Sequence, residues 1–336
     1  MNILLCSTGR RPYLVRWFQQ ALIDNGLSGK VIAADMDPMS PAKTFADDFI
    51  EAPAVTSSGY SSWLARTIET QNINFAVSIN DFELSEWSQL TESLEFEKLI
   101  RLSAESQSLV EDKLKMAKRL VEFEIPSPQT WSGSDAIAST DISGELVTKG
   151  RFGSASRGLQ FTDGKNLLGA VALALNEVTT RQGVLAKEQS ECIPEDLLIV
   201  QEMIQGTEYG LDVVSDFDGK FATVLARKKI AMRAGETDRA VSVDSDIFEP
   251  VARKIAEAVP HRGTIDVDVM VNSNGEIYVI DINPRFGGGY PFSHLAGARV
   301  PSAYVSWAAK TTPDNSWLKS DPEIVGSKFV EAVVVA

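Results

Sequence analysis

Residues 2–6 (NILLC) make an unbroken apolar run of strand length, closed by the turn residues Ser7, Thr8 and Gly9. Such a run, bounded by turn signals, predicts a fully buried strand. A helix is predicted over 12–25, with Pro12 at its start and Gly26 past its end. The pattern repeats with a strand at 30–35 (KVIAAD), a helix at 60–71 and a strand at 74–79 (NFAVSI). Strands alternating with helices at this spacing predict a Rossmann-like α/β unit with a parallel sheet, here over 1–104. A helix follows from about 105 to 124 and stops before Pro126 and Pro128. Strands are predicted at 145–149 and 197–204 and a helix at 165–177; a second unit runs over 105–200, with the last of these strands crossing its end. From 201 to 336 the style changes to strands separated by short turns, at 207–215, 220–232 and 264–283, interrupted by a helix at about 246–258. The last two units read as α+β, and no internal repeat is present.

The most informative alternation is in GTIDVDVMVNSNGEIYVIDINPRFGGG (263–289). DVDVMV and IYVIDI are two half-buried strands, and Asn274-Gly275 between them is a two-residue hairpin signal. With that turn Ser273 pairs with Glu276, and residue numbers in every pair sum to 549. Asp268 then faces Asp281, and Asp266 faces Asn283. Like charges directly opposite on one sheet face are destabilising, and burial worsens the clash. A divalent cation removes it, and two carboxylates with an amide oxygen suit Mg²⁺ or Mn²⁺. On these residues alone the alternative is a solvated face whose acids repel weakly; the metal reading takes Asp268 and Asp281 with Asn283 beside them.

Composition narrows the classes. Hydrophobic residues are 44% and charged residues 23% of the 336, as in ordinary globular chains. With 32 Lys and Arg against 46 Asp and Glu, the net charge is −14. So acidic a chain repels nucleic acid, and any anionic ligand needs a local basic site or a metal. Two cysteines and two histidines rule against a disulfide framework and a zinc site, and the expectation is a reducing cytoplasm. No apolar run is long enough to span a membrane, and the N-terminal cations follow the short apolar run, the wrong order for a signal peptide.

Two segments supply cations. Lys149 ends a strand and leads into Gly150-Arg151-Phe152-Gly153-Ser154-Ala155-Ser156-Arg157-Gly158. Small residues there let backbone N–H groups approach phosphate oxygens, although by spacing alone the loop is equally a surface hairpin. It is not a Walker A loop, since no Gly-Lys-Ser/Thr follows the second glycine. Arg227, Lys229 and Arg233 share parity and lie on one face of an unbroken strand, a cationic face suited to a triphosphate or an acyl phosphate. Elsewhere, Asp81 and Glu83 follow the third strand and read first as helix-capping acids. His294 reads as a structural histidine, and Gly287-Gly288-Gly289 as a backbone nest for an anion.

Taken in order, Glu111-Asp112-Lys113, LVTKGRFGSASRG, VQEMIQGTEY, DVDVMV and VIDINPRFGGGYP resemble the ATP-grasp superfamily, and NPRFGGGYPFSHLAG resembles its carbamoyl-phosphate-synthase-large-chain branch. The resemblance covers about 105–300. It implies ATP-grasp domains after the N-terminal α/β unit, with the lid in 105–200 and the metal site in 201–336. It implies that Lys113 and Lys149 meet ATP phosphates and that the loop with Gly153, Ser154, Ala155 and Ser156 covers them. Glu202, Met203 and Ile204 are implied at the adenine edge and Glu208 at the ribose. Arg227 and Lys229 join the nucleotide contacts, and Arg285 meets the transferred phosphoryl group, with Lys149 and Arg233 in catalytic support. Asp268, Asp281 and Asn283 are the set that the resemblance also implies for the metal, and Asp281 stands where the family more often has glutamate.

The implied activity is ATP- and Mg²⁺-dependent joining of a small carboxylate to an amine through an acyl phosphate. Phosphorylation of a small acid such as carbamate, and nucleotide binding without turnover, are the alternatives. A dinucleotide oxidoreductase lacks its glycine fingerprint here. Family relatives allow a homodimer.

Overall fold

The computed structural model of the chain describes residues 1–9, 11–91, 93, 95–153, 158–180 and 192–335. The N-terminal unit is β1 (Asn2–Cys6), α1 (Pro12–Asp24), β2 (Lys30–Asp35), β3 (Asp48–Glu51), α2 (Tyr60–Thr70), β4 (Ile73–Ser78), α3 (Asp81–Gln89) and β5 (Leu99–Ile100). Its five strands are all parallel, in the order β3-β2-β1-β4-β5. The sheet is covered on both faces, which is why β1 and β2 are apolar almost throughout rather than alternating.

The predicted helix over 105–124 is two helices, α4 (Ala104–Glu111) and α5 (Lys113–Glu122). The break is at Asp112, extended at φ −111° and ψ 99°, whose carboxylate accepts the N–H groups of Leu114 and Lys115. An aspartate in that conformation caps a new helix rather than continuing the old one. Lys113 thereby becomes the first residue of α5.

A four-stranded antiparallel sheet comes next, from β6 (Thr130–Ser132), β7 (Glu145–Gly150), β8 (Gln160–Asp163) and β9 (Leu198–Glu202), in the order β6-β9-β7-β8. Helices α6 (Gly133–Ala138) and α7 (Leu167–Thr180) cover one face, packing Ala136, Val171 and Ala174 over Leu146, Leu198 and Val200. The remaining strands form a six-stranded antiparallel sheet: β10 (Thr207–Ser215), β11 (Phe221–Arg233), β12 (Glu236–Val243), β13 (Gly263–Val271), β14 (Ile277–Asn283) and β15 (Val325–Ser327). Its order is β14-β13-β10-β11-β12-β15. Helix α8 (Glu249–Ala258) packs Val251, Ala252 and Ile255 against its apolar face, beside Val213, Val267 and Ile282.

After β14 the chain turns back to the N-terminal unit. Phe286, then α9 (Tyr290–Leu295) and α10 (Val300–Ala308), bring Tyr290, Val300 and Tyr304 against Phe18 and Phe75. These side chains are almost wholly buried, and each fully buried one contributes roughly 1.5–3 kcal/mol. The N-terminal sheet therefore shares a core with the segment that follows the carboxylate hairpin.

Candidate functional site

The hairpin of β13 and β14 places Asp268 opposite Asp281 and Asp266 opposite Asn283, as the alternation predicts. The turn is not the predicted one. The N–H of Asn272 donates to the carbonyl of Glu276, so Ser273, Asn274 and Gly275 form a three-residue loop with Gly275 at φ +81°. A left-handed glycine closing a three-residue loop is the geometry expected there. Pairs near the turn (Met270 with Tyr278, Val271 with Ile277) are offset by one from the prediction, and Ser273 does not pair with Glu276. A bulge then leaves Ile280 unpaired and restores the register at Asp268 and Asp281. The freed carbonyl of Ile280 accepts a 2.9 Å bond from Lys149 Nζ, reaching over from β7 in the smaller sheet.

Charges alternate across this face. Lys229 on β11 bonds Glu208 on β10 at 2.6 Å and Asp268 at 2.7 Å. Lys113 lies 3.3 Å from Asp281 and donates to the carbonyl of Gly153 at 2.7 Å. Burial pushes Lys149 down to about 8, against the pull of Asp281. Burial also raises Asp268, with Lys229 opposing it. At Asp281 burial is outweighed by Lys113 and Lys149, and the carboxyl sits below its ordinary value. The start of the glycine-rich segment is tied to the same place: Arg151 forks onto Asp112 at 2.8 and 2.7 Å, and Lys113 N–H donates to Arg151 O. Ser154, Ala155 and Ser156, expected over the phosphates, lie outside the described residues.

At the expected adenine edge, the N–H of Glu202 donates to Gln129 O and that of Met203 to Glu145 O. Those two donors are spent closing the smaller sheet. Among the described residues the Ile204 N–H has no bond, and it lies in the turn from β9 to β10.

Arg227 and Lys229 keep their shared parity on β11, and they meet Asp266 and Asp268, which share parity on β13. Arg233 does not join them, because β11 is bulged between Lys229 and Ala231 and again before Met232. Arg233 is an exposed side chain at the strand end, 3.6 Å from Asp238. Arg227 is fully buried, bonding Asp212 and Asp266 at 2.6 Å each, and Ser293 donates to Asp212. Burial and the second carboxylate raise the Asp212 acid, against the pull of Arg227. Arg227 Nε and Asp212 Oδ1 have no partner among the described residues, so the network is tightly held but incompletely satisfied.

The glycine run makes room for that ion pair. A Cβ on Gly287 would lie 2.0 Å from the Asp266 carboxyl, and one on Gly289 2.1 Å from Arg227 Nε. The backbone can cross the buried pair only where side chains are absent. Arg285, at the entrance to this crossing, bonds Asp81 through Nε at 2.6 Å and Nη2 at 3.2 Å. His294 is structural: it stacks on Trp17 at 3.9 Å, meets the Tyr290 hydroxyl, and is pushed down to about 4 by burial.

Asp112, Asp81 and Asp212 carry weight that the sequence reading did not give them. Asp112 had a signal, an aspartate just before the lysine that opens α5. Asp81 had its place after the third strand as a signal, but not its partner, which is 204 residues away, and Asp212 had none.

Among the described residues, no three His, Cys, Asp or Glu side chains gather as a metal cluster. Two facing carboxylates and an amide oxygen nonetheless suit Mg²⁺, which takes one or two protein carboxylates and completes its shell with phosphate and water.

A model described as ATP-grasp domain matches residues 110–289, and one described as PylC-like, N-terminal domain matches 3–99. No curated protein sequence matches this chain. Among solved structures, N5-carboxyaminoimidazole synthetase from Staphylococcus aureus aligns with a TM-score of 0.65 at 16% identity, over 94% of this chain and 78% of that one. The biotin carboxylase of Campylobacter jejuni aligns at 0.70 and 18%, over 95% and 73%. The L-amino acid ligase of Bacillus licheniformis aligns at 0.64 and 14%, over 95% and 77%. At these identities the likeness is one of fold.

Proposed function

The chain belongs to the ATP-grasp family, and from that premise we propose that it is an ADP-forming ligase that joins a small carboxylate to an amine. The observation that carries this reading is the facing pair Asp268 and Asp281, each matched by a lysine, with Lys149 bonding the adjacent Ile280 carbonyl from the opposite sheet. Mg²⁺ held by Asp268, Asp281 and Asn283 would neutralise charge on the triphosphate. Lys113 and Lys149 meet its phosphates, Ile204 N–H faces the adenine, and Glu208 takes the ribose hydroxyls.

A substrate carboxylate oxygen attacks the γ-phosphorus, the bond to the β-phosphate oxygen breaks, and ADP leaves. The amine then attacks the acyl carbon, the C–O bond to phosphate breaks, and the amine proton passes to solvent. Arg285 offsets charge on the transferred group. Such catalysis is positioning and charge neutralisation, with no protein nucleophile.

The test is ADP release measured with Mg²⁺ across a panel of acids and amines. The proposal expects release to need both an acid and an amine. It also expects Asp281→Asn and Lys149→Ala to lose turnover by at least about 10²-fold. Release with bicarbonate or carbamate alone would favour the small-acid kinase. Nucleotide binding without release under every pairing would leave only a binder.

A further inference from the structure

We infer that Asp81, in the N-terminal unit, is a positioning residue for Arg285. The inference rests on the reading above, in which Arg285 meets the transferred phosphoryl group.

Asp81 is not needed to cap its own helix. Asn80 does that, its side-chain oxygen accepting from Phe82 N and Glu83 N. Glu83 anchors the helix instead: its buried carboxylate accepts from Tyr60 and Ser78, and Trp87 Nε1 donates to the Tyr60 hydroxyl at 2.8 Å. Helix α3 is thus fixed at the C-terminal end of β4 by a closed internal network. From that fixed base, the Asp81 carboxylate is spent on Arg285, 204 residues away in sequence.

The contact is a two-point fork, which sets the plane of a guanidinium as well as its position. It occupies Nε and Nη2, and among the described residues Nη1 carries no bond. A long side chain with one nitrogen left for substrate needs such an anchor, because small displacements at a reacting centre cost large factors in rate. Asp81 therefore acts through Arg285, and the N-terminal unit takes part in the chemistry.

The experiment measures kcat, and KM for ATP, in Asp81→Asn, Asp81→Glu, Arg285→Ala and the Asp81→Asn/Arg285→Ala double variant, with single-turnover ADP release for the slow ones. Asp81→Asn is nearly isosteric, and circular dichroism checks that it folds. We expect it to lower kcat by about 10- to 100-fold with KM for ATP nearly unchanged. Asp81→Glu should recover part of the loss, and Asp81→Asn should add nothing in the Arg285→Ala background. Losses that multiply in the double variant would overturn the inference, as would full activity of Asp81→Asn while Arg285→Ala is dead. Full activity of Arg285→Ala would instead remove the assigned role of Arg285, and this inference with it.

Discussion

Lys149 is held where a charge is costly. Burial has taken its acid constant from 10.5 to about 8, so the folded chain binds its proton less tightly than the unfolded chain does. Between those values the unfolded state carries more protons, and stability contributed by this group rises with pH from about 8 to about 10.5. Below pH 8 the ammonium is a burden that only an anionic ligand repays. Lys149→Met should therefore stabilise the ligand-free protein at pH 7 by about 2 kcal/mol, partial exposure trimming the full shift, while abolishing turnover. Denaturant melts at pH 7 and pH 10 check both parts, since the gain should shrink at the higher pH. The sequence made this lysine visible as a cation beside a glycine-rich loop, but not that its partner would be a backbone carbonyl.

At the scale of elements, the hairpin shows how a reading can reach the right residues by the wrong turn. Alternation in DVDVMV and IYVIDI fixed which side chains share a face, and Asp268 met Asp281. The loop is one residue longer than predicted, and the bulge at Ile280 offsets it. Neither leaves a mark in hydrophobic alternation. Bulges in β11 had the opposite effect and parted Arg233 from Arg227 and Lys229, with which parity had united it. Glycines also divide by task. Gly275 needs only its left-handed backbone, and no atom lies within 4 Å of where its Cβ would be. Gly289 needs empty space against Arg227. Gly275→Ala should cost about 1–2 kcal/mol and spare activity. Gly289→Ala should cost at least about 3 kcal/mol, because it must displace a buried ion pair. Chemical denaturation of the two variants side by side separates these cases.

At the scale of the whole molecule, Lys149 joins the four-stranded sheet to the six-stranded one at Ile280, and Lys113 meets Asp281 beside it. A nucleotide bound there links both sheets and stabilises the folded state by mass action, about 2.7 kcal/mol at a hundredfold excess over Kd. Thermal melts with MgADP should show this gain in the wild type and lose most of it in Asp281→Asn. The layered α/β-then-α+β order was legible because strand and helix periodicities differ. Contacts between the N-terminal unit and the last third of the chain were not, since Arg11 with Glu236 and Asp81 with Arg285 join residues more than 200 positions apart.

The aromatic seam formed by Phe18, Phe75, Phe286 and Tyr304 has a consequence for protein engineering. A chimaera cut where the first sheet ends would strip one wall from each half and leave both sticky. Any exchange of the leading α/β portion with another ATP-grasp protein must carry residues 284–308 along, so that the graft brings its own wall.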